Sequence, residues 1–176
     1  MSASIAYTWI NSPVGPVWVA TTETGVCTVG LGTGQPEAFF DWLDRHVGSE
    51  LPHEDSTALA PAPTQLREYF YRIRREFGLA LDVRGKAFQR AVWAEVARIP
   101  YGATTTYGKI AQRMGRPRAA RAVGAAVGAN PLPILIPCHR VLGAGGSLTG
   151  YGGGLEVKAA LLRLEGVLRE DVKRDV

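Results

Sequence analysis

The run Pro131-Leu132-Pro133-Ile134-Leu135-Ile136-Pro137 limits what the rest of this chain can become. Its three prolines lack backbone donors and hold φ fixed, which excludes a helix. Leu132, Ile134, Leu135 and Ile136 make it too apolar for a surface loop. The segment is therefore expected to be rigid, extended and buried, with other elements packed around it. It delivers Cys138-His139-Arg140-Val141. The thiolate is the reactive form of cysteine, and a neighbouring base or positive charge favours it. Cys138 is thus a candidate nucleophile, weighed against the commoner fate of a lone cysteine as a buried structural residue. Cys27 sits in a strand-like run without a basic neighbour and reads as structural. His139 alone would equally suit a satisfied core histidine.

The charge pattern points to a partner. No Asp or Glu occurs between Val96 and Leu155, while Arg98, Lys109, Arg113, Arg116, Arg118, Arg121 and Arg140 all do. The whole chain carries +4, so the remainder is net negative. Phosphate binding draws on such an asymmetry, because nucleic-acid affinity comes largely from counterion release. A solvated basic face is the plainer alternative.

Other functions are disfavoured. At 176 residues the chain fits one ordinary domain or two small ones, and its hydrophobic fraction of 46% supports a core. No apolar run is long enough to span a bilayer. Residues 1–19 are interrupted by Asn11, Ser12 and Pro13 and lack the pattern of a secretory signal, so a cytoplasmic location is expected. Two cysteines are too few for a disulfide framework, and His46, His53 and His139 are scattered. No metal or cofactor is expected.

The order of elements predicts an α+β chain. Residues 5–10, 17–20 and 26–31 read as strands of an antiparallel meander, with turn chemistry at Ser12-Pro13-Val14-Gly15-Pro16. Phe39, Phe40, Leu43 and Val47 suit a short helix, and residues 51–63 an exposed loop. Leu66, Tyr69, Phe70, Ile73 and Phe77 share one helical stripe, stopped by Gly78. Residues 79–83 are expected as a last strand, and Arg84-Gly85 as the boundary between domains 1–84 and 85–176. Beyond it, Phe88, Val92, Val96 and Ile99 line a helix that Pro100-Tyr101-Gly102 ends. Thr106 caps a helix closed by Gly115, and Pro117 opens another that runs to about Ala129. The pair is a helix-turn-helix candidate whose second helix is rich in Ala and Gly, leaving Arg118 and Arg121 to project. A last helix carries Val157, Ala160, Leu161 and Leu164, with Glu165 at its end and a charged, mobile tail after Gly166.

Residues 88–166 resemble the C-terminal domain of the O6-alkylguanine-DNA alkyltransferases. The matching motifs are Phe88-Gln89-Arg90-Ala91-Val92-Trp93, Ile99-Pro100-Tyr101-Gly102, Thr106-Tyr107-Gly108, Ala119-Ala120-Arg121-Ala122-Val123-Gly124, Asn130-Pro131, Ile136-Pro137-Cys138-His139-Arg140-Val141 and Gly150-Tyr151-Gly152-Gly153. Residues 66–83 resemble the family's N-terminal domain less specifically. The resemblance implies a ribonuclease H-like N-terminal sheet with helices and a helical, winged helix-turn-helix C-terminal domain. It implies irreversible, single-turnover transfer of an alkyl group from O6-alkylguanine in DNA to Cys138, with O4-alkylthymine left open as a further substrate.

Roles follow from the same resemblance. His139 would take the thiol proton through a water, Glu165 would orient and polarise His139, and Asn130 would tie the cysteine loop to the turn after the recognition helix. Tyr107 would push the target phosphate and protonate guanine N3. Arg121 would fill the space left by the flipped nucleotide, entering from the minor groove. Gln89, Gly108, Arg116, Arg118, Ala119 and Ala144 would complete the DNA contacts. Pro133 and Tyr151 would wall the pocket, while the main chain at Cys138, Val141 and Gly152 would read the guanine edges. The partner implied is double-stranded DNA with alkylated guanine, bound by a monomer, with no membrane involved. Gly152 stands where many members carry serine, which removes a side-chain hydrogen bond but keeps the backbone donor. Gly108 likewise removes a possible side-chain contact, and the zinc ligands of some members are missing.

Three rival functions fit less of the chain. A non-catalytic lesion sensor would lack the acceptor cysteine. A winged-helix regulator leaves Cys138, His139 and Glu165 without a purpose, and a cysteine hydrolase would need an oxyanion hole and turnover.

Overall fold

The computed structural model describes residues 4–31, 36–48 and 51–169. Strands β1 (Ala6–Ile10), β2 (Val17–Thr21) and β3 (Val26–Gly30) form the antiparallel meander. Gly15, at φ 95°, closes the first turn by donating its N–H to the Ser12 carbonyl at 3.1 Å. Alternation then sorts the side chains. Ala6, Thr8, Ile10, Val17 and Val19 are buried on one face, while Tyr7, Trp9 and Trp18 stand on the other. Helix α1 (Pro36–His46) covers that second face, packing Phe39 and Leu43 against Ile5, Ala20 and Cys27.

The supposed loop 51–63 carries structure at both ends. Strand β4 (His53–Glu54) adds to the sheet edge in parallel with β1, giving the order β3-β2-β1-β4. Pro61 begins helix α2 (Pro61–Phe70), where its missing N–H costs nothing. The stripe expected to reach Phe77 ends early. The Ile73 and Arg74 amides both donate to the Glu68 carbonyl, at 2.9 and 3.1 Å, and Arg72 takes φ 61°. That closure usually holds glycine, and it turns Ile73 out to 75% exposure. Phe77 still returns to Tyr69, with ring centroids 5.7 Å apart. Residues 79–83 form one bridge to β3 rather than a strand, with the Val26 N–H on the Ala80 carbonyl and the Asp82 N–H on the Val26 carbonyl.

In the second half, helix α3 (Ala87–Ala97) packs against α5 (Ala120–Gly128), and α5 against α4 (Tyr107–Arg113). Thr106 caps α4 by accepting from the Lys109 amide at 3.2 Å, and Gly115 exits at φ 70°. Helix α5 starts at Ala120, later than the expected Pro117, because the Ala119 N–H first closes a turn on the Arg116 carbonyl at 2.9 Å. Strands β5 (Thr105–Thr106) and β6 (Val141–Leu142) pair in parallel, and α6 (Leu155–Leu164) closes the chain. Residues 170–176 of the tail lie outside the described residues.

The segment 131–137 is buried, yet it is coiled rather than extended. The Ile136 N–H donates to the Leu132 carbonyl at 2.8 Å, and Ile134 sits at φ 71° with 1% exposure. A β-branched residue resists that backbone, so the turn depends on its surroundings. Asn130 supplies them, accepting from the Leu132 N–H at 2.9 Å and donating to the Ile136 carbonyl at 2.8 Å. One apolar core runs through both halves, from Val19, Leu66 and Tyr69 to Trp93, Ile110, Val123, Leu132 and Leu161. Among the described residues, no helix is long and apolar enough to cross a membrane.

Candidate active site and nucleic-acid interface

Cys138 opens a 3-10 turn (Cys138–Arg140) directly after the coiled segment and is 6% exposed. Its thiol borders a cavity of about 510 Å³. Asn130, Pro133, Tyr151 and Gly152 line the cavity from the C-terminal half, and Trp18, Phe39 and Trp42 from the N-terminal half. Val141 is not among the lining residues; it is fully buried in β6. Burial pushes the Cys138 thiol up, against the downward pull of the Asn130 amide, the Lys158 ammonium and the Tyr151 hydroxyl. The resting sulfur is therefore a thiol that needs an acceptor for its proton.

His139 is that neighbour. It is fully buried, and Nε2 lies 2.6 Å from Glu165 Oε1. Burial holds the imidazole below its ordinary range, against the opposing pull of Glu165. A neutral ring with Nε2–H on the carboxylate keeps a lone pair on Nδ1, which has no hydrogen-bond partner among the described residues. Glu165 behaves oppositely. Burial would raise it, but hydrogen bonds from His139 and Arg140 hold its carboxyl at about 2.

The carboxylate is more heavily bonded than the motif discloses. Arg140 grips it with Nε on Oε2 and Nη2 on Oε1, both at 2.9 Å, and sends Nη1 to the Ile99 carbonyl at 2.6 Å. The Gly102 N–H adds a long contact to Oε2 at 3.4 Å, with Gly102 at φ 77°. Tyr69 donates its hydroxyl to Oε1 at 2.7 Å from α2. The sequence marked Arg140 only as a positive neighbour and Tyr69 only as core. Lys158 was missed as well: it is fully buried, with Nζ on the carbonyls of Val141 at 2.7 Å and Thr149 at 2.9 Å. The Thr149 carbonyl also accepts from the Tyr107 hydroxyl at 3.3 Å.

Of the remaining predicted residues, Gly108, Arg116, Arg118, Ala119 and Arg121 lie in or between α4 and α5. Arg116, Arg118 and Arg121 are exposed, and Arg116, Arg118 and Ala119 border a shallow surface cavity. Arg116 also lies over the Phe88 ring at 5.6 Å. Gly108, in the first turn of α4, leaves open space where a side chain would be. Gln89 caps α3, its Oε1 accepting from the Lys86 N–H at 2.9 Å. Ala144 is exposed in a second 3-10 turn (Ala144–Gly146). No group of three His, Cys, Asp or Glu able to hold a metal occurs among the described residues.

Comparison with known proteins covers both halves. Residues 5–83 match the family described as 6-O-methylguanine DNA methyltransferase, ribonuclease-like domain, and residues 87–167 match its DNA binding domain. The inducible methylated-DNA–protein-cysteine methyltransferase of Bacillus subtilis is 43% identical over 148 residues, 84% of this chain and 83% of that protein. The Mycobacterium tuberculosis methylated-DNA–protein-cysteine methyltransferase is 44% identical over 163 residues, 92% of each chain. A crystal structure of Mycobacterium tuberculosis O6-methylguanine methyltransferase superposes with TM-score 0.78 at 42% identity, covering 92% of each chain. A complex of the Mycobacterium tuberculosis protein with DNA gives TM-score 0.79 at 42% identity, covering 91% of this chain and 92% of that one.

Proposed function

The chain belongs to the 6-O-methylguanine DNA methyltransferase family, and from that premise we propose that Cys138 is the residue that takes the alkyl group. The protein is a methylated-DNA–protein-cysteine methyltransferase: it binds DNA and repairs it by direct reversal, transferring the alkyl group to a cysteine. In our assignment the Cys138 thiol gives its proton, relayed by a water, to Nδ1 of His139. The sulfur electron pair attacks the alkyl carbon, the carbon–O6 bond breaks, and its electron pair leaves on guanine. Tyr107 supplies the proton that guanine takes up at N3. Glu165 holds His139 in the tautomer that accepts, which is the nucleophile–base–orienter logic without a hydrolytic second half. The thioether formed has no route back to thiolate, so each molecule reacts once.

Asn130 keeps the strained turn before Cys138 in place. Pro133, Tyr151 and the main chain at Cys138 and Gly152 receive the flipped guanine. Arg121 stands in for the extruded nucleotide from the minor groove, since an O6 substituent inside the duplex cannot reach a buried thiol. Gln89, Gly108, Arg116, Arg118, Ala119 and Ala144 border the DNA. The division of labour follows residues 1–84 and 85–176, and the protein works as a monomer in the cytoplasm.

One observation carries this assignment: a buried thiol at a cavity wall, next in sequence to a buried histidine that is 2.6 Å from a carboxylate held ionised. Excess duplex DNA with labelled O6-methylguanine tests it. We expect a plateau near one label per protein, all on the Cys138 peptide. Repeated turnover, or label on Cys27, would overturn it.

A further inference from the structure

We propose that Tyr69, on α2 of the N-terminal half, is a positioning residue for alkyl transfer, acting on His139 through Glu165. The inference rests on the assignment of Cys138, His139 and Glu165 to the transfer.

Geometry separates Tyr69 from an ordinary core aromatic. It is fully buried, and its ring is wedged among Phe70, Phe77 and Tyr101, with centroids 5.4, 5.7 and 6.2 Å away. Phenylalanine would fill the same space. The hydroxyl is what differs, and it lies 2.7 Å from Glu165 Oε1, the oxygen that also receives His139 Nε2 at 2.6 Å. Burial and then the Glu165 charge push the phenol far above its ordinary range, so it stays a donor at every working pH. Glu165's other donors come from Gly102, His139 and Arg140 in the C-terminal half. Tyr69 is thus the link by which the N-terminal half reaches the acid that steers the base.

Three donors, the Tyr69 hydroxyl, His139 Nε2 and Arg140 Nη2, share Oε1 and compete for its charge. The Tyr69 hydroxyl draws electron density from Oε1 and so limits how strongly Glu165 stabilises a protonated His139. The groups facing His139 and Glu165 are Cys138, Arg140, Tyr69, Tyr101, Tyr151 and Lys158. Removing only the hydroxyl leaves the others in place and makes Oε1 a stronger acceptor for His139. The imidazolium is then favoured, and His139 stays protonated to a higher pH. Protonated, it cannot take the thiol proton. The acid limb of the rate profile must therefore move upward.

Tyr69→Phe tests this, with Cys138 labelling from free labelled O6-benzylguanine followed between pH 5 and 9. The free base avoids any pH dependence of DNA binding. We expect the midpoint of the acid limb to rise by about half to one pH unit, lowering the rate below it by about three- to tenfold. In a Glu165→Gln background the same change should no longer move the midpoint, because the acceptor charge is gone. A purely structural tyrosine would scale the rate equally at every pH. Labelled Cys138 with superimposable wild-type and Tyr69→Phe midpoints overturns the proposal and leaves the assignment of the transfer standing. No label on wild-type Cys138, from this base or from O6-methylguanine in duplex DNA, removes both.

Discussion

The ammonium of Lys158 lies 2.7 Å from the carbonyl oxygen of Val141, three residues beyond the nucleophile, and 2.9 Å from that of Thr149. A fully buried lysine thus staples β6 to the loop that carries Tyr151 and Gly152 into the cavity wall. Among the described residues no carboxylate pairs with it, so its charge is directed at the site, where it favours the Cys138 thiolate.

Lys158→Met keeps the volume and removes the charge and both hydrogen bonds. The two carbonyls lose a charged donor, so unfolding stability should fall by about 2–4 kcal/mol. The Cys138 thiol should become harder to ionise, shifting the rate profile for free O6-benzylguanine to higher pH. Denaturant titration and the pH profile check the two effects separately. A stable Lys158→Met protein with an unmoved profile would show the lysine to be only filling space.

Acid stability follows from two buried groups with the same sign. Glu165 is depressed from 4.5 to about 2, so its contribution is complete above pH 4.5 and is lost as pH falls toward 2. Its size is on the order of 3 kcal/mol. His139 is depressed below 6.5 by burial, so the unfolded chain takes up a proton there first and stability begins to decline below pH 6.5. Urea unfolding at a series of pH values should show decline starting near 6.5 and continuing below 4.5. In Glu165→Gln the lower window should flatten. A stability constant from pH 7 to 3 would contradict both assignments.

What could be read beforehand depended on how local the cause was. The Thr106 cap and the Gly115 exit are set within a few residues, and both are visible in sequence. Cys138 and His139 stood out because proline and charge flank them, but Glu165 came into view only through family resemblance. Tyr69 and Lys158 owe their roles to partners brought together by tertiary packing, and apolar periodicity registers the first merely as core. The same periodicity overran α2, because Arg72 occupies a left-handed position without the glycine that usually announces it. The coil at 131–137 was hidden for a related reason. Prolines argue for extension, and only Asn130, bonded at both ends of the turn, reverses that.

Extrusion and chemistry are separable at Arg121, which is exposed in the first turn of α5. Arg121→Ala should slow repair of O6-methylguanine in duplex DNA strongly, while reaction with free O6-benzylguanine changes far less, since a free base needs no flipping. Single-turnover rates on the two substrates decide the matter. Equal slowing of both would make the arginine a structural residue.

The acid-free stretch makes a prediction that owes nothing to relatives. Arg116, Arg118 and Arg121 are exposed around α5, and Lys109 and Arg113 lie on α4. If this surface meets the backbone of DNA, it neutralises about three to five phosphates, and log K should fall with log salt at a slope of roughly −3 to −4.5. Arg116→Ala or Arg118→Ala should flatten that slope by about one unit if the side chain meets phosphate directly. Arg45 is the control: it is exposed on α1 and paired with Asp41 at 3.8 Å, so Arg45→Ala should leave the slope unchanged. Fluorescence anisotropy with an undamaged duplex, measured from low to moderate salt, reads the slope directly. A slope near zero, or one that responds to Arg45 and not to Arg116 or Arg118, would move the DNA surface to the N-terminal half while leaving the thiol chemistry in place.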